Sequence, residues 1–429
     1  TSHIYPAMDV SQTRLESAAA LPVTVTSIYV LYVVLWATDA ISVGALFDVF
    51  VVDLARSKGY THPNEFIGYL ESVRGLTAFA AAFPLGYLSD RYNRLKVLRL
   101  HGFICGVSGA AVLSAALLCE ALSLLVYGLA LYAVFFQAAC GSLDAVLADL
   151  VPAGPGRTAA YARCRVLMTS ARAMGPMLQA ILLTFFGREL GGAVLGRLLA
   201  GGFCGLVAFL AVLWPLQCPS ASTSAAPLNA AETSERQCAT VLGMPKYLLV
   251  PGLIAAFNLI FMLGGGITLK FFPLFYHHEY GLSDVQICWI MAGYWFVTAI
   301  GTNVAVLLTK CRRAVAVLTL HLVGVCLLFI LVLVQPLSWS LIVFELRPAA
   351  MNAHFALNTA LTMDYALPKH RGRWAAVSSL NRATWAGSAA VGGFLVDGFG
   401  FRASFAVTGV ILLVAALVYS PMLGLARHI

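Results

Sequence analysis

Charge is what this chain has least of. Only 11% of its 429 residues are Asp, Glu, Lys or Arg, against about 25% in a soluble globular domain. Such a chain cannot solvate a water-facing surface, so it reads as an integral membrane protein. Other absences narrow the function. No G-x-x-x-x-G-K-[ST] loop is present, which excludes nucleotide-driven work by this chain alone. No H-E-x-x-H occurs, and the 9 His and 10 Cys residues are scattered without metal-ligand spacing. A metal-centred enzyme, a zinc module and a disulfide framework are therefore excluded. No cofactor is expected. Most cysteines fall in apolar runs (Cys105, Cys140, Cys204, Cys288, Cys326) or polar connections (Cys218, Cys238, Cys311). They read as small buried hydrophobes. The first apolar run is too long for a cleaved secretory signal and no A-x-A-like site ends it.

What the chain has is apolar length. Hydrophobic residues make up 60% of it and the mean hydropathy is +0.85. Runs long enough to cross the hydrocarbon as helices, about 20 residues each, lie near 22–47, 66–89, 96–118, 121–148, 160–185 and 194–215. A second set lies near 246–272, 283–309, 313–334, 337–363, 374–397 and 402–424. The expected fold is all-α, with about twelve transmembrane helices in two pseudo-symmetric six-helix bundles, 21–215 and 246–425. Residues 1–20 form a tail. The Ser-, Ala- and Thr-rich stretch 216–245 reads as a flexible linker.

The formal charge is +8, but the positives sit in short clusters between apolar runs, a topology signal and not a nucleic-acid one. Arg91/Arg94/Lys96/Arg99, Arg157/Arg163/Arg165, Lys310/Arg312/Arg313 and Lys369/Arg371/Arg373 all fall in even-to-odd connections. That places both termini in the cytoplasm of a multi-pass protein, of either the plasma or an organellar membrane. Arg56, Lys58, Arg188 and Arg402 are exceptions. An internal repeat supports the six-plus-six division. Gly86 and Gly301 lie 215 positions apart, as do Asp149 and Asp364. Asp149-Leu-Val-Pro152 and Arg157 are echoed by Asp364-Tyr-Ala-Leu-Pro368 and Arg371, and Phe186-Gly-Arg188 by Phe399-Gly-Phe-Arg402.

The stretch Gly86-Tyr-Leu-Ser-Asp90-Arg91-Tyr-Asn93-Arg94 between the second and third runs resembles the signature of the major facilitator superfamily, roughly G-x-L-x-D-R-x-G-R-[RK]. Gly86, Leu88, Asp90, Arg91 and Arg94 match. Asn93 replaces a glycine, read as the next-best residue for left-handed backbone. The second-half copy keeps Gly301 but has Ala305 in place of the acid. Gly175-Pro176 resembles the core of an antiporter-associated motif, yet Gln179 and Ala180 stand where its glycines are expected. The resemblance implies a secondary transporter working by alternating access. It also implies a cytoplasmic gate in which Asp90 faces the start of the eleventh helix and Arg94 reaches Asp149. Gly86 is expected to allow close helix approach.

Charges far from helix ends are costly in hydrocarbon and mark functional positions. At 1.5 Å per residue, Glu345 and Arg347 lie roughly 12–15 Å into the tenth helix and Arg172 about 18–20 Å along the fifth. Asp39 lies in the outer half of the first helix, Glu71 and Arg74 in the outer half of the second. The resemblance places helices one, four, seven and ten around a central cavity, adding weight to Asp39, Glu345, Arg347 and His354. Two readings of Glu345 and Arg347 stay open. They are structural charges satisfied elsewhere, or Arg347 holds an anion while Glu345 or Asp39 carries a proton. Glu71 and Arg74 read as a structural i,i+3 pair. Arg172 either contacts substrate or neutralises an acid. Adjacent His277 and His278 point apart on a helix, which argues against a metal site.

The expected function is transport of a small organic solute, anionic or amphipathic, with protons as the coupling ion, by a monomer in the bilayer. Proton antiport exporting amphipathic cations is the alternative within transport. A non-transporting receptor on a transporter fold is the alternative outside it.

Overall fold

A computed structural model of the chain describes residues 21–151, 155–186, 192–217, 240–241, 244–307, 313–365 and 371–425. Within them the chain is a set of long helices. Nine helical segments are long and apolar enough to cross a membrane by composition alone. Three further helices of 29 residues each, Pro63–Arg91, Leu337–Tyr365 and Arg371–Phe399, complete twelve spans. These three contain Glu71 and Arg74, Glu345 and Arg347, and Arg382, charges that interrupt an otherwise apolar face.

The first span is two helices, Val25–Ser42 and Ala45–Ser57. It runs ten residues past the expected end at 47, so Asp48 lies inside it. The seventh is also broken, into Lys246–Leu269 and Phe272–Tyr280. Matching breaks in the first helix of each half extend the repeat from residues to backbone. The second span is Pro63–Arg91; the third is Arg94–His101, a π-helical turn Gly102–Val107 and Ser108–Leu118. The fourth, Leu122–Leu150, and fifth, Pro155–Phe186, are followed by a sixth in two pieces, Gly192–Gly202 and Cys204–Leu213. The second half continues with Asp284–Leu307, Arg313–Leu333, Leu337–Tyr365, Arg371–Phe399 and Phe401–Tyr419 as spans eight to twelve.

Each bundle packs around aromatic side chains. Tyr132, Phe135 and Phe209 meet in the first; Phe272, Phe344 and Phe405 meet in the second. Phe185, Leu333 and Leu417 are more than two-thirds exposed, as lipid-facing side chains are. The broadest contacts between bundles join the second span to the eleventh and the fifth to the eighth.

The second and eleventh spans show which side is closed. A Cβ on Gly68 would lie 2.6 Å from the Ala389 carbonyl oxygen, and one on Gly75 only 1.8 Å from the Ala386 Cβ. Ser72 Oγ, between them, reaches the Ala386 carbonyl at 3.1 Å. Gly86 stands on the same face as Gly68, five turns on, yet among the described residues a Cβ there would meet nothing within 4 Å. The helices therefore touch near residues 64–75 and diverge toward residue 86. We call the closed end the far face and the end carrying residues 86–94 the terminal face. Among the described residues the expected close approach at Gly86 is not made; Gly68 and Gly75 make one at the opposite end.

A leucine at Gly75 is expected to lower the thermal stability of the purified protein by about 1–3 kcal/mol through overpacking. The same change at Gly86 should stay within about 0.5 kcal/mol. Thermal unfolding of the two variants side by side checks the asymmetry.

Candidate functional site

The signature region builds a local clamp. Arg94 donates to the Asp149 carboxylate and, at 3.1 Å, to the Ala145 carbonyl. The second-to-third connection is thereby tied to the foot of the fourth span, as expected. Asn93 corrects the expectation of left-handed backbone. Its φ is −61°, and its side chain accepts from Leu95 N and Lys96 N at 3.1 and 3.3 Å. Asn is there as a helix N-cap. Arg91 lies over its own neighbour Tyr87, donating to its hydroxyl at 2.8 Å. The side chains of Asp90 and Asp364 lie outside the described residues.

The far face is held by polar contacts as well as by glycines. Asp397 of the eleventh span accepts from Asn64 Nδ2 at 2.6 Å and from Glu65 N at 2.9 Å, capping the second span from the opposite bundle. Gln179, fully buried, donates to the Ile41 carbonyl at 2.5 Å. That hydrogen bond gives a physical reason for Gln where the antiporter motif has glycine.

Beneath this closure lies a chain of charges. Arg74 contacts Asp39 at 2.5 Å and Glu71 at 3.8 Å. Lys270, at the break in the seventh span, contacts Glu71 at 3.3 Å and Asp48 at 3.1 Å. None of these side chains is more than 14% exposed. The i,i+3 pair Glu71/Arg74 is thus one link of a longer network crossing the bundle interface. Lys270 is its only C-terminal-half member among the described residues. By the runs read from the sequence, 22–47 and 246–272, Asp48 lies just past the end of the first span and Lys270 near the end of the seventh. The signal available was each residue's position at a mid-span break.

The network borders a cavity of about 110 Å³ between the bundles, lined by Asp39, Asp48, Arg74, Arg172, Lys270 and Trp385, among others. Arg172 has a distinct setting. Its guanidinium carbon lies 4.0 Å from the ring centroid of Trp36 in the first span and 4.6 Å from that of Trp295 in the eighth. Two indoles from opposite bundles thus lie within cation–π range of one guanidinium, a setting that suits guanidinium better than ammonium. Among the described residues Arg172 has no hydrogen bond or ion pair. The buried Trp36 indole N–H also has no partner.

The remaining expected residues lie apart. Arg347 is 6% exposed, stacks 4.6 Å from Phe272, and has no partner for Nε among the described residues. Glu345 fits the notch at Gly293 of the eighth span, where a Cβ would meet its carboxylate at 2.9 Å; its Oε2 has no partner among the described residues. They do not pair with each other. His354 is fully buried in the second bundle, ringed by Phe257, Phe261 and Phe355 and facing His321 at 6.1 Å. The structure puts it in an aromatic core and not on the cavity wall, because the tenth span turns that face toward its own bundle.

Comparisons agree with this architecture. A family model described as Major Facilitator Superfamily matches residues 28–378 and 254–425. No curated protein sequence matches the chain. Among solved structures, a bacterial homologue of the human lysosomal transporter Spinster, inward-facing and unoccupied, aligns with a TM-score of 0.68 at 13% identity, covering 96% of this chain and 98% of that one. A D-xylose–proton symporter aligns with a TM-score of 0.66 at 16% identity, covering 91% and 95%. The xylose transporter from E. coli in a partially occluded, inward-open conformation gives 0.66 at 11% identity, covering 93% and 97%. At these identities the structures speak for the fold, and the family match speaks for the class. The chain belongs to the Major Facilitator Superfamily and is a membrane transporter, not an enzyme.

Proposed function

We propose that this transporter moves a small organic anion by alternating access, coupled to protons, with the cargo seated in the cavity at Arg172. The observation that carries the reading is the setting of that one side chain. A half-buried cation stacked on two indoles, with no acid paired directly to it among the described residues, is a binding point for an anionic visitor. The acids nearby are engaged: Asp39 by Arg74, Asp48 by Lys270, Glu71 by both. They supply proton-accepting groups without offering a free carboxylate to an amphipathic cation. Arg347, one of the cations weighed for the anion, is also stacked on an aromatic ring and lacks a partner for Nε among the described residues, but it does not border this cavity and fits a structural role better.

In this reading the far face is the outer one, because the basic clusters belong to the terminal face. The conformation is then open to the cytoplasm. Residues 21–215 and 246–425 are the moving bodies and 216–245 the tether, in a monomer. Gly86, Asp90, Arg91, Arg94, Asp149 and Asp364 form the gate that closes the cytoplasmic side in the alternate state, with Gly86 then making the approach it lacks here.

Counterflow into proteoliposomes tests the cargo class. A panel of organic acids and amphipathic cations is offered against preloaded unlabelled compound. Exchange of acids and not cations is the expected result. Exchange of cations alone would shift the function to cation antiport, with Glu345 as its binding acid.

A further inference from the structure

We propose that the cavity takes its anion as a small monocarboxylate together with one proton, the carboxylate on Arg172 and the proton on Asp48, so that each cycle moves no net charge. This rests on the reading that the cargo is an organic anion.

The argument begins with the charges that meet around the cavity. Asp39, Asp48 and Glu71 face Arg74, Lys270 and Arg172, three acids against three bases. The empty cavity is neutral with all six ionised. A monoanion adds one negative charge that nothing there balances, in a place where an unbalanced charge is expensive. One proton restores neutrality. A dianion would leave a second charge uncovered.

Geometry selects the groups. The Arg172 guanidinium lies over the rings of Trp36 and Trp295 and borders the cavity, and stacking of this kind leaves its N–H edge to a ligand. That edge pairs with a carboxylate through two parallel hydrogen bonds. The cavity, about 110 Å³, is smaller than the roughly 150 Å³ that admits benzene, which suits a short acid.

Among the acids, Asp48 gives up least on protonation. The charged groups facing it are Lys270 of the seventh span and Glu71 and Arg74 of the second. Its one ion pair is with Lys270 at 3.1 Å, and Glu71 holds the same ammonium at 3.3 Å. Protonating Asp48 therefore orphans no base. Protonating Asp39 would leave Arg74 only Glu71 at 3.8 Å. Protonating Glu71 would loosen two cations at once, and Glu71 does not border the cavity, whereas Asp48 does. Asp48 thus takes a proton when the cavity faces one side and returns it to water on the other.

The probes are L-lactate and succinate, in proteoliposomes containing a pH-sensitive dye, with protein-free vesicles as the control for passive entry. Lactate should carry in one proton per molecule and accumulate about tenfold per unit of inward pH gradient, since one pH unit is tenfold in an equilibrium constant. A potential set with valinomycin should not change the extent. Succinate should not accumulate. Asp48→Asn should lose gradient-driven accumulation, and Asp48→Glu should restore it, with thermal unfolding checking that each is folded. Potential-driven lactate uptake, uptake without lumenal acidification, or full coupling in Asp48→Asn would overturn the proposal while leaving organic-anion transport standing. Exchange of cations and of no organic acid would overturn both.

Discussion

Arg172→Gln is expected to abolish transport while leaving the protein as stable as before, or more so. Removing one partner of a buried charge-assisted pair typically costs about 2–5 kcal/mol. Against the cargo that is a loss of at least ~30-fold in affinity. Stability should not suffer, because Arg172 has no ion pair among the described residues and is held only by Trp36 and Trp295. Glutamine removes one of the three bases at the cavity, a proton on Asp48 restores the balance, and the remaining cost is the stacking. Arg172→Lys separates charge from shape: it keeps the positive charge but loses the planar fork, so intermediate transport is expected. Counterflow and thermal unfolding on the same preparations check both halves. Normal exchange in Arg172→Gln would move the cargo elsewhere, with Arg347 the next cation to replace.

Lys270→Met should do the reverse, destabilising the observed conformation. Lys270 is the cation through which the second bundle grips Asp48 and Glu71 of the first. Without it Asp48 loses its ion pair, and Glu71 keeps only Arg74 at 3.8 Å. Leaving buried carboxylates unpaired costs about 3–5 kcal/mol. Because the contact crosses the interface, most of that loss falls on closure of the far face. A shift of about 3 kcal/mol moves a two-state population by roughly 10². Ser72→Cys, at the contact with Ala386, reports on that closure in a background lacking the 10 native cysteines. An impermeant maleimide should label it much faster in Lys270→Met. Adding Asp48→Asn and Glu71→Gln, which remove the unpaired charges, should slow labelling again. Unchanged labelling in the single variant would show that glycine packing alone shuts the far face.

Much of this architecture was legible in the sequence because apolar length and basic clusters are one-dimensional signals. Twelve spans and the six-plus-six repeat follow from spacing, and the Arg94–Asp149 clamp from the resemblance carried by the stretch Gly86–Arg94. The misreadings share a cause. Asp48 fell outside the first span because that run was ended at 47, just past the break at Gly44 and ten residues short of the end of the helix that follows it, Ala45–Ser57. Lys270 looked like a helix end because the seventh span breaks there too. Their partnership joins residues 222 positions apart in opposite bundles, which no periodicity encodes. Asn93 was assigned by its tolerance of left-handed backbone, whereas its side chain decides its role as a cap. His354 was given to the cavity by helix number, and rotation of the tenth span turned it into an aromatic core. Arg172 was visible as a mid-span charge, but only the fold brings Trp36 and Trp295 against it.

Proton-driven accumulation of an organic acid in proteoliposomes tests the central claim most directly. With an inward proton gradient the acid should concentrate inside above its external level, and a protonophore should release it. With no gradient it should only equilibrate. Equal uptake with and without the gradient, or gradient-driven loss of a preloaded cation, would contradict the account.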